Sequence, residues 1–135
     1  MLSPAQLAAL ESAALAAVGT PEMRCQVAMV DIYKSAGLLP ADFHAPLGDA
    51  DWARTQERSL IAEGVAGCGY FCEVEAPAQP GDLLGFRLGH TLHHVAISLG
   101  GGRMVHVFGA HGVQIAPCIP APWAKRLEKI WRIKA

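Results

Sequence analysis

No stretch of this 135-residue chain is apolar for long enough to cross a bilayer, because charged, polar or turn-forming residues break every hydrophobic run. There is no surplus of charge of either sign: eleven Lys and Arg stand against twelve Asp and Glu, for a formal net charge of −1. That balance argues against nucleic acid and against an anionic membrane surface as partners. Charged residues make up only 17% of the chain while 52% are hydrophobic, which excludes a disordered composition and leaves enough apolar material for one packed core. The Ala/Leu-rich start, Leu2 to Val18, lacks a positive leading segment and carries Glu11 within it, so it is read as a helix and not as a secretory signal. The expectation is synthesis and folding in the cytoplasm. The closely paired cysteines of a zinc knuckle or redox pair are missing too. Cys68 and Cys72 are separated by three residues, so Cys25, Cys68, Cys72 and Cys118 are expected as reduced thiols.

What is present reads as a single α+β domain over residues 1–135, with N-terminal helices packed on a C-terminal antiparallel meander sheet. Ser3-Pro4 is a helix start and Gly19 a stop. Thr20-Pro21-Glu22 repeats the start signal, which predicts a second helix from about Met23 to Ala36, closed by Gly37. Residues 38–51 carry Pro40, Pro46 and Gly48 and read as a loop. A third helix is predicted over 52–63. Strands follow at 69–75, 82–88, 94–99, 103–108, 112–116 and 128–133, with Pro77, Pro80, Pro117, Pro120 and Pro122 between them.

The most informative segment runs from His94 to His106, two histidines flanking Gly100-Gly101-Gly102. If the glycines form a three-residue hairpin loop, Leu99 pairs with Arg103. Both imidazoles then lie on one face of the ribbon, since side chains alternate with period two. A loop of even length would place them on opposite faces. Two imidazoles on one face can orient each other, and one can serve a nucleophile. Cys25, in the first turn of the second helix, is the candidate. The free N–H groups and partial positive charge there lower a thiol's pKa and can hold an oxyanion. Arg24 beside it favours a thiolate for the same reason. Nucleophile, base and orienting group are thus Cys25, His94 and His106. By itself a lone cysteine on an Ala/Val-rich helix is more often a small buried hydrophobe. The same three side chains are also ordinary zinc ligands, but their spacing lacks the short pairs typical of zinc sites, and neither a metal nor a cofactor is expected. His93 should face away from His94. His44 falls in the loop, His90 and His111 read as surface residues, Trp52, Trp123 and Trp131 as packing anchors, and Asp82 as the cap of a turn.

Several motifs resemble those of the NlpC-type cell-wall cysteine peptidases, a branch of the papain-like fold. Pro80-Gly81-Asp82-Leu83-Leu84-Gly85-Phe86 is similar to the family's "PGDLLxF" strand. His94-Val95-Ala96-Ile97-Ser98-Leu99-Gly100 is similar to "HVGIYLG", whose first residue is the catalytic base. The strand Arg103-Met104-Val105-His106 matches the one that supplies the third triad member, at the family's own spacing. Val18-Gly19-Thr20-Pro21 is similar to "LGTP", and the run from Cys25 to Tyr33 to "DCxGLVxxVY". The likeness is greatest to the small members carried in phage tails. It implies peptidoglycan stem peptides as substrate, cut between D-glutamate and a diamino acid through a thioester acyl-enzyme, and it implies phage tail proteins and a virion as partners and setting. The chain departs from the pattern at Arg24, where the family has Asp, at Glu22, where it has the oxyanion-site tyrosine, and at Val27, where it has glycine. Glu22, Arg24 and His93 are the remaining candidates to line the substrate and oxyanion sites. A weakly active or inactive structural tail-tip subunit, and a thiol amidase or acyltransferase, are the alternatives these departures leave.

Overall fold

The computed structural model describes residues 2–22, 24–45, 59–107, 109–117 and 123–134. Helix α1 spans Pro4–Ala17. Ser3 caps it reciprocally: its Oγ accepts from Gln6 N at 3.1 Å, and Gln6 Oε1 accepts from Ser3 N at 2.8 Å. Helix α2 spans Cys25–Ser35, two residues later than the expected start: the Glu22 carboxylate accepts from Arg24 N at 2.9 Å, and Arg24 itself is extended. Cys25 thereby becomes the first helical residue. Helix α3 spans Leu60–Gly67, capped by Ser59, whose Oγ accepts from Ala62 N and donates to Leu92 O. The third helix therefore continues past Glu63; Gly64 does not stop it. The expected helical stretch 52–58, and the last part of the expected loop, lie outside the described residues.

Six strands form one antiparallel sheet: β1 Phe71–Val74, β2 Leu83–Leu88, β3 Thr91–Gly100, β4 Arg103–Val107, β5 Val113–Pro117 and β6 Leu127–Ile133. Their order is β1-β6-β2-β3-β4-β5, so the meander holds only from β2 to β5. The last strand returns to the middle, between β1 and β2. The reason is legible in β6 itself: Ile130 packs into a cluster with Leu84, Phe86, Ala96 and Met104, while Trp131 and Ile133 pack on the other side with the helices. A strand apolar on both faces belongs in a sheet's interior. The principal core joins α1, α2 and α3 to the sheet through Leu10, Met29, Ile32, Ile61, Val95 and Ile97. A fourth short helix, α4 (Trp123–Arg126), covers part of the opposite face against β2.

Two contacts fix the start of β2 beneath the helices. Tyr33 Oη donates to Gly81 O at 2.8 Å. Asp82 does cap its turn, accepting from Gln79 N at 2.8 Å, but this buried carboxylate also takes two bonds of 2.9 Å from the Arg132 guanidinium on β6. Fork-to-fork pairing of this kind satisfies a charge that would otherwise be costly to bury.

The β3–β4 hairpin departs from expectation in its loop and keeps the expected result. Gly100, not Leu99, pairs with Arg103, so the loop is Gly101-Gly102. Both carry positive φ, 62° and 73°. An even loop alone would have split the histidines between faces. The irregularity between Ser98 and Gly100 absorbs one residue and restores the pairing of Ser98 with Met104 and Ile97 with Val105. His94 and His106 therefore share a face.

Candidate active site

His94 Nε2 lies 3.0 Å from His106 Nδ1, with the rings nearly perpendicular and both side chains buried. One proton sits between these nitrogens. If His94 is to accept a proton at Nδ1, that proton must belong to its Nε2, which then donates to His106 Nδ1. The pair thus has one tautomeric arrangement that leaves a base available, and the geometry allows it.

Cys25 opens α2 and is buried against the middle of β3. Its Sγ lies 3.7 Å from His93 O and 3.6 Å from Gln26 Oε1, and the backbone of Val95 also bonds the thiol. The thiol therefore meets strand β3 at the residues on either side of His94. The His94 imidazole itself turns to His106, Phe86 and Trp123, and among the described residues it is not a hydrogen-bond partner of the thiol. The structure brings the two histidines, one on β3 and one on β4, into direct contact, and the cysteine to β3, the strand that carries His94.

Electrostatics correct one expectation. The first turn of α2 was expected to lower the thiol's pKa. Burial instead pushes the Cys25 thiol up, and the backbone groups of Val95, Gln26 and Cys25, which pull the other way, do not overcome it. Arg24 does not offset this, because its guanidinium is committed to Glu22 by bonds of 2.9 and 3.0 Å and points into solvent. Burial pulls His94 down to about 3, with His106 and His93 adding like-charge repulsion, and burial also lowers His106. At rest, near neutral pH, the site holds a neutral thiol and two neutral imidazoles.

Among the other candidates, Glu22 and Arg24 stand together as an ion pair just ahead of Cys25, and His93 contributes its carbonyl to the thiol. His90 and His111 are exposed, as expected, and so is His44. Cys68 and Cys72 are free thiols, each directed at a backbone carbonyl of its own surroundings; Cys118 and Trp52 lie outside the described residues. Trp131 is a core residue. Among the described residues no group of three or more His, Cys, Asp or Glu side chains is placed to hold a metal ion. The residue that sequence reasoning missed is Trp123. It packs, but on the imidazoles: its ring stacks on His94 at 4.7 Å and 22°, and meets His106 edge-on at 5.3 Å. Only its single-turn helix, folded back onto β2, brings it there, and no local spacing signals that.

Comparison with solved structures places this arrangement in a known fold. A similar-to-lipoprotein NLP/P60 family protein from Staphylococcus aureus superposes with a TM-score of 0.62 at 19% identity, over 98% of this chain and 42% of that one. An NlpC/P60 family protein from Bacillus cereus gives 0.61 at 20% identity, over 92% of this chain and 39% of that one. The chain thus spans about two fifths of the length of either protein. A search of curated proteins found no match. The pattern of the NlpC/P60 family matches residues 22–132, a span that contains Cys25, His94 and His106. With helices on an antiparallel sheet of papain-like form and a matching sequence over most of its length, the chain belongs to the NlpC/P60 family, whose members are generally cysteine peptidases of the cell wall.

Proposed function

We propose that this protein is a cysteine peptidase that hydrolyses peptidoglycan stem peptides through a thioester acyl-enzyme. The observation that carries the proposal is the 3.0 Å contact between His94 Nε2 and His106 Nδ1, with His94 on the strand, β3, against which the Cys25 thiol is packed. Cys25 Sγ attacks the scissile carbonyl carbon as His94 Nδ1 takes the thiol proton, and His106 stabilises the imidazolium through Nε2–H. His94 returns the proton to the departing amine, leaving the thioester. Water, deprotonated by His94, then attacks the thioester carbonyl, releasing the carboxylate and restoring the thiol. Backbone N–H groups at the start of α2 are the source of oxyanion stabilisation. The D-glutamate to diamino acid bond, and the placement in a phage tail, are carried by the sequence resemblance.

Since proton transfer must start from a neutral pair, catalysis requires the thiol to leave His93 O and reach His94. The present thiol position equally favours a second reading, a structural domain of the same fold with little activity. Digestion of purified peptidoglycan, followed by chromatography of the released peptides, separates the two. The peptidase releases fragments; Cys25→Ala abolishes release, and His94→Ala lowers it by roughly 10²- to 10⁴-fold. No release by the wild-type chain at any pH from 5 to 9 overturns the peptidase reading (a range of about four units around the histidine and cysteine reference values).

A further inference from the structure

Trp123 stands out among residues that the mechanism above does not use. It is the first residue of α4, and its indole lies nearly parallel to the His94 ring, 4.7 Å away. The same indole meets His106 at 5.3 Å and Phe86 at 5.2 Å edge to face, with interplanar angles of 87° and 67°. Phe86, on β2, is itself 5.9 Å from His94. His94 is therefore held between two aromatic rings and a second imidazole. Rotation of its ring out of this plane breaks the stack with Trp123 as well as the bond to His106.

We propose that Trp123 is a positioning residue for the catalytic histidine: it locks the His94 ring with Nε2 on His106, so that Nδ1 remains the nitrogen that serves Cys25. This rests on the peptidase reading of the same site. The argument is geometric. A nitrogen–nitrogen contact does not by itself choose which ring donates. A stacked aromatic face fixes the ring plane, and with it the direction in which both nitrogens bond, because their lone pairs and N–H bonds lie in that plane. The stacked π face also suits the cation that His94 becomes during turnover. Among the described residues, the titratable groups that share the surroundings of His94 are His106 on β4, His93 on its own strand and the Cys25 thiol on α2; Lys125 and Arg126, the charged residues of α4, are exposed. Burial, largest of the causes that lower the His94 pKa, fits a ring covered in this way.

The test is nitrogen-15 NMR of histidine-labelled full chain, which reads the protonated nitrogen of each imidazole, beside steady-state kinetics on a soluble stem peptide. Trp123→Phe keeps a stacking ring, and Trp123→Leu keeps apolar bulk without one; either is gentler on folding than Trp123→Ala. In the wild type and in Trp123→Phe, His94 should carry its proton on Nε2 alone. In Trp123→Leu the His94 signals should average between tautomers, its titration should move up toward the ordinary histidine value, and kcat should fall roughly 10- to 100-fold with KM little changed. A folded Trp123→Leu protein with His94 fixed on Nε2 and unchanged kcat overturns the proposal, as does a Trp123→Phe protein that behaves like Trp123→Leu. The NMR readout needs no turnover. A chain whose tautomer depends on Trp123 but which digests nothing would sink the peptidase reading and leave the positioning role standing.

Discussion

At the scale of single residues, the site is governed by burial more than by charge. Cys25 has the helix start that ordinarily favours a thiolate, but too little water reaches it for that effect to prevail. With Cys68, Cys72 and Cys118 replaced by serine, alkylation of Cys25 by iodoacetamide should be slow at pH 7 and rise only above the ordinary thiol value of about 8.5. A reaction profile displaced to acid pH would contradict the neutral resting pair. His94 carries the complementary consequence for stability. Its pKa is about 3 in the folded protein and about 6.5 in the unfolded chain, so between those values the unfolded state binds the extra proton. The stability that its neutral burial retains is whole above pH 6.5 and is lost as pH falls toward 3, by on the order of 4 kcal/mol. Urea unfolding at pH 7 and pH 4 should therefore show a larger acid loss for wild type than for His94→Gln. Equal losses would mean that His94 titrates normally.

At the scale of elements, the position of Cys25 depends on a contact remote from it in sequence. The link between α1 and α2 is tied to β5: Gly19 N donates to Val113 O at 2.8 Å and Val113 N donates to Thr20 O at 3.0 Å. Gly112 makes this approach possible. Its φ is +69°, and a Cβ there would lie 2.2 Å from Thr20 O, a backbone atom that cannot rotate away. Gly112→Ala should cost about 2–3 kcal/mol in denaturant unfolding and displace the segment that leads into Cys25. Peptidoglycan digestion should fall with it. A variant as stable and as active as wild type would show that the tie is dispensable. The hairpin illustrates the same dependence of chemistry on backbone detail. A two-residue loop and one bulged residue together give what a three-residue loop would have given, and the histidines meet.

At the scale of the whole molecule, the last strand completes the middle of the sheet. β6 pairs with β1 on one side and β2 on the other, and contributes to the clusters on both faces. Without it β1 has no partner, Asp82 loses Arg132, and both faces of the sheet open to water. Removal of residues 127–135 should therefore abolish cooperative unfolding, read by near-ultraviolet circular dichroism through a urea titration. A sigmoidal transition in the truncated chain would show that β2–β5 and the helices form a sufficient core alone.

The sequence by itself determined the α+β class, the capped start of α1, all six strands to within a few residues, and the candidate trio. These follow from local signals: Ser-Pro and Gly at helix ends, period-two alternation in strands, and two histidines at a spacing that fits one hairpin. Tertiary structure decided what depends on contacts between distant segments. The central place of β6 rests on cores forming on both sides of it, and the bulge that brings His94 and His106 together is a compromise between loop and sheet. The placement of Trp123 on the imidazoles requires α4 to fold back onto β2. Ionisation was likewise settled in three dimensions, because a pKa responds to the water a group loses, and burial of Cys25 and His94 comes from chain segments far away in sequence.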